Sequence, residues 1–320
     1  TSFWEYNLYN NMMWDWNQVM NVYSYTPNDG FGANNGSNEF VNAISDATMY
    51  NVYGFNWGGA LAMCITYGGS GCTEILESDI MYNPAYSWTD DPNYAINNTS
   101  VYLLQPSMMH ELGHSWGAQM GTYTETYDYD VATVMQGGSQ DIYETGRGVH
   151  CSDAWMIRRN YQTQTSILST VDVGIESYYA ANGLNKSTTD FSTYCPGATI
   201  NLYNITAENI SYNAVSDVRV RFYLSSDRTI TTSDYQIGGS GAYVYWTSFT
   251  GETYSLFDFS AAIPSSIPSG AYFIGMIITV NGFNNDAYTY NNTTTFSNSI
   301  TINPLPSGAG TISGTTTVCQ

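Results

Sequence analysis

Near residue 161 the chain changes its hydrophobic period, and that change limits it to two unlike domains. Up to Tyr161 apolar residues recur at helical spacing. Trp4, Leu8, Met12, Trp16 and Met20 step by four, the interval that aligns side chains on one face of a helix. NEFVNAISDATMYNV reads as a second helix, opened by Asn38 and Glu39. GGALAMCITYGG and TEILESDIMYN read as strands bounded by Gly and by Asn-Pro. SVYLLQPSMMHELGHSWGAQM is the next helix, with Pro106 near its start, where a missing N–H is tolerated. Gly117 allows the chain to turn out of it. SDAWMIRRNY closes the segment as a helix that Ser152 can cap, with Ala154, Ile157, Arg158 and Tyr161 sharing a face. Residues 162–170 are a short polar linker.

From Val171 to Asn303 the pattern becomes short alternating runs: VDVGIESYY, ATINLYNIT, VRVRFYLSS, YVYWTSF, GAYFIGMIITV and TTTFSNSITI. Gly, Asn, Asp and Pro-Ser clusters separate them, as in an antiparallel β-sandwich. Residues 304–320 are rich in Pro, Gly, Ser and Thr and read as a linker into a further module. Cys319 is expected to belong to that module. The expected fold is therefore multidomain α+β: a mixed domain over 1–161 and an antiparallel sandwich over 171–303. The chain's 320 residues suffice for both.

Charge excludes one class of partner. Asp and Glu number 27 against 7 Lys and Arg, a net charge of −20, and the first basic residue is Arg147. Such a surface repels phosphate backbones, so nucleic acid is not an expected partner. With 43% hydrophobic residues the chain is not a disordered acidic tail. No apolar run reaches the ~20 residues of a membrane span. Thr1 is not an initiator, and the chain reads as part of an exported, extracellular protein solubilised by hydroxyl and amide groups. Cys64 and Cys72 flank ITYGGSG, a hairpin turn. They form a disulfide in an oxidising compartment or remain two buried thiols. Asn35, Asn97, Asn98, Asn185, Asn204, Asn209, Asn291 and Asn292 begin glycosylation sequons, many of which an Asn/Thr-rich chain produces by composition.

The chemistry concentrates in His110-Glu111-Leu112-Gly113-His114. Two His four apart on a helix lie about one turn from each other on one face, so both imidazoles can bind one Zn²⁺. The Glu between them can serve as general base toward a water that the metal polarises. The chain has 3 His in all, and two of them stand at this spacing. The bland alternative is a polar helix with a fortuitous motif.

With that helix placed, residues 1 to 161 resemble the metzincin zinc endopeptidases. That pattern runs HExxHxxGxxH, then a tight turn bearing Met beneath the metal, then a helix. His110, Glu111, His114 and Gly117 match its first elements, Met135 in ATVMQGG sits at the Met-turn, and DAWMIRRNY matches the closing helix. The resemblance implies a zinc cofactor and a polypeptide substrate. It also makes CTEILESDIMYN similar to the edge strand that pairs with substrate, so Glu77, Ser78, Asp79 and Ile80 become candidates for holding substrate backbone. The third ligand position is Met120, a soft thioether poorly matched to Zn²⁺ beside imidazoles. Either another residue completes the site, or two His and waters hold the metal weakly, or the site is inactive. His150 comes first among the candidate third ligands, with Asp128, Asp130 and Glu125 behind it; its bland reading is a polar residue before a helix cap. Gly137 stands where that clan has a Tyr, which removes one oxyanion-stabilising group.

The second half resembles the bacterial CARDB type of immunoglobulin-like module, through VRVRFYLSSDRTITTSDYQIGG, IPSSIPSGAYFIGMIITV and YTYNNTTT. The resemblance implies a spacer or adhesion element. Two functions are carried forward. One is a secreted or cell-surface bacterial zinc endopeptidase on a β-sandwich stalk. The other is a non-catalytic adhesin or filament subunit whose protease-like domain binds a surface-protein partner, with homo-polymerisation open.

Overall fold

The structure is a computed structural model. It describes residues 12–13, 15–17, 19, 39–41, 46–54, 56–68, 75–89, 91, 98, 100–117, 134–135, 149–160, 170–179, 185–281, 286, 288–289 and 291–305. The chain forms two compact units: Thr1–Thr170 with Ile210–Tyr212, and Val171–Asn209 with Asn213–Gln320.

In the first unit Met12, Met13, Asp15, Trp16, Asn17 and Val19 are helical. Then follow β1 (Glu39–Val41), α1 (Asp46–Tyr53), β2 (Ala62–Gly68), β3 (Ile75–Tyr82), β4 (Ser87–Thr89), β5 (Val101–Leu103), α2 (Leu104–Ser115) and α3 (Cys151–Asn160). Strands β1, β3 and β2 form a mixed sheet in that order. The sheet is covered on both faces because alternate residues of β3 point opposite ways. Ile80 joins Leu104, Met108, Met109 and Leu112 of α2 in the main core. Met81 packs with Met49 of α1 and with Trp57.

Two sequence expectations change here. Glu39–Val41 is a strand, not the start of a helix: it pairs in parallel with Asp79–Met81. So short a strand has no periodicity of its own and depends on a partner distant in sequence. The last helix starts at Cys151, so Ser152 lies inside it. The capping role falls to Asp153, whose carboxylate accepts the His150 backbone N–H at 3.0 Å. This is the reach from the third helical residue back to the cap seen in a capping box.

The second unit is a β-sandwich. Its strands are β6 (Val173–Glu176), β7 (Tyr178–Tyr179), β8 (Asn185–Lys186), β9 (Thr188–Thr189), β10 (Thr193–Tyr194), β11 (Thr199–Asn209), β12 (Val215–Ser225), β13 (Tyr235–Gln236), β14 (Val244–Phe249), β15 (Thr253–Ala262), β16 (Gly270–Val280) and β17 (Thr293–Ile302). One sheet runs β10-β17-β16-β12-β13 with β14 also on β12; the other runs β15-β11-β6 with β9 also on β11. All these pairings are antiparallel except β10 with β17.

Period-two burial builds the sandwich core. Val218, Val220, Phe222 and Leu224 of β12 and Ile274, Met276, Ile278 and Val280 of β16 face Ile200, Leu202, Ile205 and Ala207 of β11. Phe222 stacks on Phe259 of the opposite sheet with centroids 4.0 Å apart. A register shift between Leu202 and Ile205 bends β11, and Asn204 takes up the bulge at φ +63°.

Three sequons are spent on this core. Asn209, Asn291 and Asn292 are buried. The Asn209 amide donates to the carbonyls of Asn213 and Phe249, and that of Asn291 to Asp172. A glycan on any of the three would break these bonds or force apart close-packed strands. Glycopeptide mass spectrometry of the folded protein should find all three unmodified; a glycan on Asn209 in protein that keeps its fold would contradict the packing. Asn35 and Asn97 lie outside the described residues.

Candidate metal centre

Helix α2 carries the His-Glu-His motif, and its ends follow from local chemistry. Pro106 stands at the third helical position, where no intrahelical acceptor waits for an N–H. Gly117 at φ +90° leaves the helix, and its N–H caps the His114 carbonyl at 2.9 Å. The rings of His110 and His114 stand at 90° with centroids 4.8 Å apart. His114 and Glu111 are buried, while His110 is half-buried.

Val134 and Met135 lie beneath this helix. A Cβ built on Gly113 would fall 2.0 Å from the Met135 sulfur, so Met135 packs directly against the helix between the two His. The Val134 carbonyl accepts a hydrogen bond from His110 Nδ1 at 2.9 Å. A carbonyl can only accept, so Nδ1 carries the proton and the imidazole lone pair lies on Nε2. Metal-ligating His residues use this tautomer, with the ring N–H that does not face the metal donated to a carbonyl or carboxylate.

The surrounding bonds hold that geometry from several elements. Trp16 donates its indole N–H to the Met109 carbonyl at 3.0 Å and stacks on Trp116 with centroids 6.2 Å apart. Asp153 of α3 accepts the backbone N–H groups of Val134 at 2.8 Å, Met135 at 3.3 Å and His150 at 3.0 Å. Asp15 accepts the Val149 N–H at 2.8 Å. Also from α3, Arg158 donates to the Val19 carbonyl at 3.1 Å.

Donor chemistry fits zinc in part. Two imidazoles at ligand spacing, one fixed in the right tautomer, suit it. Among the described residues no three His, Cys, Asp or Glu side chains gather into a metal-binding group. His150 is therefore not brought together with His110 and His114. Its place before α3 is fixed by its N–H bond to Asp153, and its carbonyl accepts from Ala154. Met120, Glu125, Asp128, Asp130 and Gly137 lie outside the described residues.

The strand expected to hold substrate is also corrected. Glu77, Ser78, Asp79 and Ile80 are buried, and β3 is the central strand: Asp79 pairs with Glu39 on one side and Ile65 on the other. Both backbone edges are thus taken at Asp79, and the Asp79 carboxylate accepts the Tyr53 hydroxyl at 3.1 Å. Among the described strands the edge beside α2 is β2, antiparallel to β3. Two consecutive hairpin strands look alike in sequence, and only the nonlocal partner β1 decides which is inner.

Cys64 is a free thiol, which corrects the Cys64–Cys72 disulfide. Its neighbour across the hairpin is Ile80, and its sulfur lies 3.4 Å from the Ser115 hydroxyl. Burial pushes the thiol well above its ordinary pKa. Cys72 lies outside the described residues. Cys195, which the sequence did not single out, is disulfide-bonded.

No family model matches the chain, and no curated protein matches it. Among solved structures it is similar to the CARDB domain of a Pyrococcus furiosus protein in complex with di-metal ions, at 14% identity over 43% of this chain and 98% of that one, TM-score 0.27. It is similar to a sporulation control protein from Bacillus subtilis at 10% identity over 42% and 50% of the two chains, TM-score 0.20. A Niemann-Pick type C2 protein from the Japanese carpenter ant matches at 8% identity over 42% and 93%, TM-score 0.22.

Proposed function

We propose that this chain is a secreted or cell-surface zinc endopeptidase whose metzincin-like first unit is carried on a CARDB-like β-sandwich. The observation that carries the reading is the His110 Nδ1 bond to Val134, with His114 one turn away and Met135 packed beneath Gly113. His110 and His114 would hold the ion through their imidazoles. When bound, zinc supplies Lewis acidity toward water and the scissile carbonyl. Glu111 takes the proton of the attacking water and returns it to the leaving amine. The edge of β2 would align an extended polypeptide by strand addition. The Cys195 disulfide supports an oxidising, extracellular setting.

The test is metal analysis. Purified protein should hold close to one chelator-removable zinc per chain, and His110→Ala or His114→Ala should abolish it, because the site loses half its imidazoles. Stoichiometric zinc in the double variant would remove the assignment. A second reading, a non-catalytic adhesin or filament subunit, is favoured by the sequence at the third ligand position, where Met120 offers a soft thioether poorly matched to Zn²⁺ beside imidazoles.

A further inference from the structure

We infer that Asp153 is a positioning residue of the metal centre, acting on His110 through the Val134–Met135 peptide group. The inference rests on the zinc reading above. One end of that peptide group, the Met135 N–H, donates to Asp153 Oδ1 at 3.3 Å. The other end, the Val134 carbonyl, accepts from His110 Nδ1 at 2.9 Å. Asp153 Oδ2 accepts the Val134 N–H at 2.8 Å and the His150 N–H at 3.0 Å, which fixes the carboxylate from two further directions.

A trans peptide is planar, and its N–H and C=O point opposite ways. A carboxylate on the N–H therefore pushes electron density toward the carbonyl oxygen. That oxygen becomes a stronger acceptor for His110 Nδ1–H, since hydrogen bonds in a chain polarise one another. Strengthening the Nδ1 bond raises the basicity of Nε2 toward a metal. In the usual carboxylate–histidine–zinc arrangement the carboxylate touches the ring; here one peptide group stands between them. Asp153, Val134 and Met135 are all buried, so the charge is felt with little screening by water.

Asp153→Asn keeps the shape and removes the charge. Two readings are taken: zinc affinity by competition with a chromophoric chelator, and the His110 Nδ1–H proton resonance of the metal-free protein. Zinc should bind about 10–100-fold more weakly, and the resonance should move upfield as its hydrogen bond weakens. Asp153→Glu, which keeps the charge, should recover part of the affinity. Unchanged affinity in folded Asp153→Asn would overturn the inference. So would a loss of affinity with an unmoved resonance, because Asp153 would then be a structural pin alone. If Asp153→Asn does not fold, wild-type protein decides. A through-hydrogen-bond coupling from His110 Nδ1 to the Val134 carbonyl supports the relay, and its absence overturns it. Wild type that takes up no zinc fails the zinc reading itself, a result distinct from any of these.

Discussion

Glu111→Gln is expected to keep its fold and zinc while losing about 10²–10⁴-fold of peptide hydrolysis, the usual contribution of general-base catalysis. Glu111 lies on α2 between His110 and His114 in sequence and is buried, so its carboxylate is not extended into solvent. Glutamine matches it in size but cannot take a proton from water. The helix is indifferent to the change, since the two residues have similar helix propensity. The measurement is cleavage of an unfolded protein substrate with zinc supplied in stoichiometric amount. Activity in wild type that is lost in the variant removes the purely structural reading. Equal inertness of the two proteins removes the enzyme and leaves the adhesive or filament role.

Much of the frame was legible because it is local. The His-Glu-His helix, Gly117 as its stop and the alternation of β12 and β16 are each written within a dozen residues. The features that were missed depend on distant partners. Strand β15 carries Ser255, Asp258 and Ser260 among its aromatics, so its half-buried alternation is blurred until β11 pairs with it from Asn209 to Thr199. The inner position of β3 required β1, more than thirty residues upstream. In the sequence Asp153 is one acidic residue in a first helical turn, which the helix dipole alone explains. Its contacts at Val134 and Met135 are tertiary, and no spacing encodes them. A candidate metal site reads poorly for the same reason: the periodicity of α2 places His110 and His114 on the helix, whereas any further donor would depend on contacts distant in sequence.

Gly113→Ala sets two local rules against each other. Helix propensity alone favours Ala by about 1 kcal/mol. Packing opposes it: the new Cβ would lie 2.0 Å from the Met135 sulfur and 2.9 Å from Cζ2 of Trp16. Met135 is unbranched and can swing aside. Trp16 cannot, because its indole N–H is tied to Met109 and its ring is buried against Trp116. Overpacking a closed core costs about 1–3 kcal/mol, so packing should win and the thermal midpoint of the first unit should fall. A displaced Met135 also moves Val134, whose carbonyl orients His110, so zinc affinity should fall with stability. Met135→Ala in the Gly113→Ala background should restore part of both, a non-additivity of about 0.5–3 kcal/mol expected for side chains in contact. A Gly113→Ala protein as stable as wild type, with no coupling to Met135, would mean that the Met135 turn does not underlie the helix and that the geometry proposed for the metal centre is wrong.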